Sequence, residues 1–165
     1  MKEVELVDGP RVEWRTQTTT LGIRETVPFR TMLSHRDRLL AELISWLTAH
    51  GVQADGPFFL RLHVVDMAGM MAIEVGVVSD ADAADDRVIQ GAMPAGKYAT
   101  LDYRKTSMAA NGMLRNWVSD QGLSLDVLDT ADGEAFAGRF EIYLTDPRTE
   151  RMKTRWVVQL DFLLR

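Results

Sequence analysis

Two segments carry apolar residues at the spacing of an amphipathic helix. Residues 34–50 and residues 107–121 each place an apolar stripe along one helix face, so both helices should pack on one face of a sheet. The stripes consist of Leu39, Leu40, Leu43, Ile44 and Leu47 in the first helix, and of Ala110, Met113, Leu114, Trp117 and Val118 in the second. The predicted N-caps are Ser34 and Ser107, and the predicted stops are Gly51 and Gly122.

Most of the remaining chain has the pattern of β-strands. Residues 58–65 and 71–78 are apolar runs separated by a short turn segment, which predicts a hairpin. A similar pair, residues 139–145 and 155–164, follows the second helix. Further strands are predicted over residues 12–23, 88–93 and 97–103, and a loop is predicted over residues 123–136.

The order of these elements occurs twice. Trp46 and Gly51 recur as Trp117 and Gly122 with the same spacing, and residues 60–66 align with residues 140–146. The sequence therefore predicts an α+β fold of duplicated βαββ units with pseudo-twofold symmetry, an antiparallel sheet with two main helices on one face, and a ligand cleft between the halves. We expect a single domain over residues 1–165, with one repeat over about 1–79, an acidic linker over 80–86 and a second repeat over about 87–165.

Composition narrows the classes of function. The chain has 165 residues, a formal charge of −5 and no cysteine, so we expect neither disulfides nor a thiolate metal site. The acidic balance disfavours direct binding of nucleic acid. The three histidines are scattered, and no phosphate loop or nucleophile elbow is present, so no metal or cofactor is predicted. With no signal peptide or membrane-length apolar run, a cytoplasmic protein without membrane contact is expected.

Polar residues interrupt the two matched strands. Strand alternation places Glu141 and Tyr143 on one face and Phe140 and Ile142 on the other, and we expect the apolar face to pack on the helices. The alignment of the halves makes Arg61 and His63 the equivalents of Glu141 and Tyr143. Such departures from an apolar pattern are typical of functional sites. Alternatively, this face meets water, or Arg61 and Glu141 form an ion pair.

Several motifs resemble the gyrase-inhibitor-like (GyrI-like) family, which includes the effector-binding domains of AraC-type and MerR-type multidrug regulators. The resemblance covers residues 3–165. It is carried by Met93-Pro94-Ala95-Gly96-Lys97-Tyr98-Ala99, by Trp117 and Gly122, by Phe140-Glu141-Ile142-Tyr143-Leu144-Thr145-Asp146-Pro147, and by Trp156. The sequence shows no helix-turn-helix, so we expect a family member that lacks a DNA-binding domain of its own.

The resemblance implies that Glu141 lies in an aromatic-lined pocket and meets cationic, lipophilic ligands. It also implies that Tyr143, Tyr98 and Trp117 lie in or beside the cleft, while Met93, Met108 and Met113 are candidates for an adaptable wall. A desolvated carboxylate favours a cationic partner, and aromatic faces add cation–π attraction of about 0.5–2 kcal/mol each. Arg61 and His63 bring positive or titrating groups, so a neutral or zwitterionic ligand remains an alternative.

Three functions follow. The first is sensing or sequestration of an amphipathic, aromatic, cationic small molecule. The second, known for some members of the family, is hydrolysis of reactive cyclopropane-type compounds, with Glu141 as general base and Tyr143 or Tyr98 as its partner. The third is a gyrase-inhibitor-like role in which the acidic surface binds a basic protein partner. The sequence leaves the oligomeric state open.

Overall fold

The computed structural model describes residues 4–165, which form ten β-strands, two α-helices and two 3₁₀ turns. Within these residues, neither helix is long and apolar enough to cross a membrane. The first half contains β1 (Glu5–Arg15), β2 (Thr18–Pro28), a 3₁₀ turn (Phe29–Thr31), α1 (Met32–Ala49), β3 (Phe58–Val65) and β4 (Met70–Val78). The second contains β5 (Ile89–Met93), β6 (Gly96–Arg104), α2 (Ser107–Asp120), β7 (Val127–Thr130), β8 (Gly133–Phe136), β9 (Arg139–Tyr143), a 3₁₀ turn (Lys153–Arg155) and β10 (Val158–Leu163).

The strands form one antiparallel sheet in the order β1-β6-β10-β9-β3-β4-β2-β5. This order is symmetric about the central β9–β3 pair, with β2–α1–β3–β4 matching β6–α2–β9–β10. The α+β fold class predicted from the sequence is thereby confirmed. The edge strands are exchanged, because β1 of the first half pairs with β6 of the second, and β5 of the second half pairs with β2 of the first.

Two predicted elements were wrong. The extended segment predicted over residues 12–23 is the junction of two long strands, β1 and β2, and these lie on opposite halves of the sheet. The loop predicted over residues 123–136 contains the β7–β8 hairpin, and β8 adds to β3 through the pairs Val64–Ala135 and Val65–Glu134. Asp and Gly residues mark the turns in this segment, but they do not reveal that short strands lie between them.

Both helices pack on the same face of the sheet. On β9, Tyr143 accepts a hydrogen bond from Arg36 of α1, and Glu141 accepts one from Ser107 of α2. These strand residues are two apart and so share a face. The main core lies between the helices and this face, and it includes Leu21, Ile23, Leu39, Leu43, Leu60, Leu101, Leu114 and Leu160.

The opposite face of the sheet has a smaller core of its own. It is formed by Phe59, Tyr98, Phe140, Ile142 and Leu163. The expectation that Phe140 and Ile142 pack on the helices is therefore wrong. The β3–β9 register pairs Leu60 with Glu141 and Arg61 with Phe140, so Glu141 faces the helices while Arg61 points away from them. A one-residue offset between the aligned halves exchanges the two faces of a strand.

The two helices end in the same way. Gly51 and Gly122 have φ values of 64° and 69°, and the backbone N–H of the following residue bonds back to Leu47 or Val118. This is the reversal that the glycines predict. The starts differ from the predicted N-caps, because Thr31 and Thr106 occupy the N-cap positions, and Ser34 and Ser107 lie within the helices.

We expect Gly51→Ala and Gly122→Ala each to lower the free energy of unfolding by about 1 kcal/mol. A Cβ at either position would meet nothing within 4 Å, so the left-handed backbone alone sets the cost. Gly112→Ala is the control, because it lies inside α2, also in open space, and should stabilise the protein by up to about 1 kcal/mol. Denaturant unfolding of the three variants measures these changes; a loss of stability in Gly112→Ala as large as in the others would contradict the explanation.

Candidate ligand-binding site

A cavity of about 710 Å³ lies on the helix face of the sheet, where the two halves meet. Its walls come from the 3₁₀ turn and first turn of α1, from α2 between Ser107 and Arg115, and from strands β3, β4 and β9 with the turn that joins β3 to β4. The volume falls within the range of small-molecule sites. Much of the lining is apolar and includes Phe29, Met32, Leu33, Leu62, Val65, Met67, Met71 and Met108.

Glu141 lies in the wall of this cavity and is only 5% exposed. Its hydrogen-bond partners are neutral: Ser107 Oγ donates to Oε1 at 2.6 Å, and Asn111 Nδ2 donates to the same oxygen at 3.3 Å. Ser107 and Asn111 are one turn apart on α2, so both reach the carboxylate from the same helix face. Glu141 is thus a buried carboxylate whose two hydrogen-bond partners are neutral. Neither of these contacts is an ion pair.

Tyr103, which the sequence analysis did not single out, lies next to this network. It is on β6, is 2% exposed as part of the main core, and its hydroxyl lies near Ser107. Burial raises the pKa of Tyr103, and the nearby Glu141 charge raises it further. A neutral tyrosine therefore stands beside the Ser107–Glu141 pair. The alternation of β6, which places Tyr103 on the face of Leu101, was the available signal.

Arg139 is a second charged residue in the cavity wall, two residues before Glu141 on β9. Its Nη2 donates to Asn111 Oδ1 at 3.0 Å, so Asn111 links the arginine and the carboxylate. The guanidinium lies 4.6 Å and 4.8 Å from the ring centres of Phe136 and Phe162. Burial lowers the pKa of Arg139 to about 10, and the Arg115 charge acts in the same direction. Arg139 was also missed, although it shares a strand face with Glu141.

Tyr143 faces the helices, as Glu141 does, but it is not part of the cavity wall. It is 2% exposed, accepts a hydrogen bond from Arg36 Nη1 at 3.3 Å, and packs 5.2 Å from the ring of Trp156. Burial raises the pKa of Tyr143. Its surroundings make Tyr143 a residue of the core beneath α1.

Two other predicted site residues lie on the opposite face of the sheet. Arg61 donates to the backbone carbonyls of Ala92 (3.0 Å) and Ala137 (2.9 Å), and His63 lies 2.7 Å from Glu74. Through these contacts, Arg61 and His63 link β3 to other segments of the sheet. The suggested ion pair between Arg61 and Glu141 is therefore wrong, because the sheet separates the two side chains.

Tyr98 also lies on that opposite face. Its hydroxyl donates to the carbonyl of Pro94 at 2.7 Å, and the ring contributes to a smaller cavity of about 300 Å³ that Met93 also lines. The structure therefore does not bring Tyr98 and Glu141 to one cavity.

On α2, Trp117 and Met113 lie outside the cavity wall. Trp117 packs against the main core, and Met113 is 38% exposed. Met108 does line the cavity, together with Met32, Met67 and Met71. Of the residues singled out from the sequence, the structure therefore brings Glu141 and Met108 to this cavity.

The structure thus defines an antiparallel α+β domain with a largely apolar cavity between its halves. Comparison of the sequence with protein-family models and with curated proteins gives no match. Several solved structures share the fold at low sequence identity, so the fold is established by similarity of structure.

The structure of an EcmrR–DNA complex matches with 16% identity and a TM-score of 0.70; the match covers 94% of this chain and 56% of the EcmrR chain, so this chain spans about half of that protein. SAV2435 bound to tetraphenylphosphonium matches with 14% identity and a TM-score of 0.61, over 99% of this chain and 94% of SAV2435. A hydrolase from Listeria innocua matches with 12% identity and a TM-score of 0.53, over 94% of this chain and 91% of the hydrolase. The GyrI-like fold suggested by the motifs is compatible with these structures.

Proposed function

We propose that this protein binds an amphipathic small molecule, with an aromatic body and a cationic group, in the Glu141 cavity. The observation that carries the proposal is a buried carboxylate with neutral hydrogen-bond partners in the wall of a cavity large enough for such a molecule. A cation entering the cavity would gain the attraction of a charge that water does not screen, while its aromatic body would contact the apolar lining.

Two further features support binding of this kind. Four methionines line the cavity, and their flexible thioethers adapt to ligands of different shapes. SAV2435, which shares the fold, was solved with tetraphenylphosphonium, a lipophilic cation. Binding of this type serves sensing or sequestration.

Glu141→Gln should weaken binding of tetraphenylphosphonium at least tenfold, because glutamine keeps the acceptor for Ser107 and Asn111 but removes the charge. Isothermal titration calorimetry measures the affinity. Thermal denaturation provides a second readout, since a ligand at about 100 times its Kd stabilises the native state by about 2.7 kcal/mol.

The matched control is Glu74→Gln. Glu74 is an equally buried glutamate, but it lies on the opposite face of the sheet, paired with His63. This variant should lose stability and keep its affinity for tetraphenylphosphonium. Equal affinity losses in both glutamine variants, or no loss in Glu141→Gln, would contradict the proposed function.

Hydrolysis is the second candidate, and the position of Glu141 in the cavity wall, hydrogen-bonded to Ser107, favours it. A carboxylate can act as general base toward water. Tyr103, like Tyr143 and Tyr98, lies outside the wall of this cavity, so the carboxylate is the group that carries this candidate. Product analysis by mass spectrometry after incubation with reactive cyclopropane compounds separates turnover from simple binding.

A further inference from the structure

Arg139 has hydrogen-bond donors that the described residues leave without an acceptor. Arg139 is 7% exposed and lines the Glu141 cavity, yet within residues 4–165 its Nε and Nη1 atoms are buried without a hydrogen-bond partner. Only Nη2 is bonded, to the neutral Asn111. Buried donors without an acceptor are costly, and a buried charge more so, which makes such a group in a cavity wall a candidate for contact with a ligand.

The nearby carboxylates act on Arg139 only from a distance: burial lowers its pKa, the charges of Glu141 and Glu134 raise it by less, and neither carboxylate forms an ion pair with it in the described part of the chain. Arg115 is paired with Glu134 at 3.2 Å, and Arg30 is exposed at the rim. The interior therefore presents one carboxylate and one guanidinium, with Asn111 bonded to both. A ligand that carried only a cation would satisfy Glu141 but would also place its positive charge close to Arg139.

We propose that the natural ligand is zwitterionic, with its cationic group near Glu141 and an anionic oxygen accepting hydrogen bonds from Arg139. This inference rests on the proposed function and specifies its ligand. Alternate residues of a strand are separated by about 7 Å, so the two charges of the ligand should be separated by a similar distance. The rings of Phe136 and Phe162 flank the guanidinium and restrict its movement.

A matched pair of dyes tests the proposal. Rhodamine B carries a carboxylate beside its cationic ring system, and its ethyl ester has the same rings without the negative charge. Fluorescence anisotropy titrations on the wild-type protein should give an affinity for rhodamine B at least fivefold higher than for the ester. Equal affinities, or a preference for the ester, would overturn the zwitterion assignment. This test needs only the wild-type protein.

Arg139→Met then assigns the preference to one side chain. This substitution should lower the affinity for rhodamine B at least tenfold. The affinity for the ester should stay the same or increase. Arg61→Met is the matched control, because Arg61 is a partly buried arginine on the opposite face of the sheet, and this variant should keep the preference for rhodamine B. If Arg139 had only a structural role, Arg139→Met would change the affinities for both dyes by the same factor. That result would overturn the proposal.

Tetraphenylphosphonium separates this inference from the function on which it rests. Binding of tetraphenylphosphonium without binding of rhodamine B would overturn the zwitterion assignment and leave the proposed cation site intact. Absence of binding by all three probes would overturn both.

Discussion

Gly112→Trp should weaken ligand binding by about tenfold to 100-fold while the protein remains folded. Gly112 lies on α2 in the cavity wall, and a Cβ at this position would meet nothing within 4 Å. An indole can therefore start from this position without a backbone clash and occupy space that the ligand needs. Steric overlap of this kind costs roughly 1–3 kcal/mol, which corresponds to the stated loss of affinity. Calorimetric titration with tetraphenylphosphonium measures the change.

The control for this substitution is its neighbour. Met113→Trp places the same indole one residue further along α2, at a position that is 38% exposed and outside the cavity wall. This variant should bind within about twofold of the wild-type protein. Wild-type affinity in Gly112→Trp, with an unchanged melting temperature, would show that the ligand binds elsewhere.

The helices were predictable because their signal is local. An apolar stripe and a terminal glycine lie within one segment, so the predicted range 34–50 differs from the observed Met32–Ala49 by only one or two residues. The strands of the hairpin β3–β4 were equally well placed. The edge strand β1 was harder to predict, because its partner β6 lies far away in the sequence.

The face of β9 was not predictable from alternation alone. All five residues of β9 are buried, so the apolar residues on one face and the polar residues on the other give no indication of which face meets the helices. Only the pairing of Leu60 with Glu141 decides this, and that pairing is a tertiary contact. Aligning the halves with a one-residue error therefore grouped Arg61 with Glu141.

The same limitation applies to the site. Glu141 was identified because a charged residue in an apolar strand is unusual, a property visible in the sequence. The position of Ser107 before an apolar stripe predicts an N-cap, but its hydroxyl donates to Glu141 instead. Asn111, Arg139 and Tyr103 reach the same region from a helix and two strands. Their roles come from the packing of α2 against the sheet and have no sequence pattern of their own.

Phe140→Ala should lower the free energy of unfolding by about 3–5 kcal/mol, the typical cost of truncating a buried phenylalanine. Phe140 is 1% exposed in the smaller core, with its ring centre 5.8 Å from that of Phe59 and 4.9 Å from the guanidinium carbon of Arg61. Leu144→Ala, further along the chain and 49% exposed, is the control and should cost much less. Denaturant unfolding measures both.

A double-mutant cycle establishes which face Phe140 occupies. Phe140→Leu combined with Phe59→Leu should show a coupling energy of about 0.5–1.5 kcal/mol, as expected for an edge-to-face aromatic pair. Phe140→Leu combined with Leu43→Ala on α1 should be additive within about 0.5 kcal/mol, because Leu43 lies in the main core on the other face. Coupling to Leu43 in place of Phe59 would place Phe140 beneath the helices. Glu141 would then face away from α2, and the cavity would lose the carboxylate on which the proposed function depends.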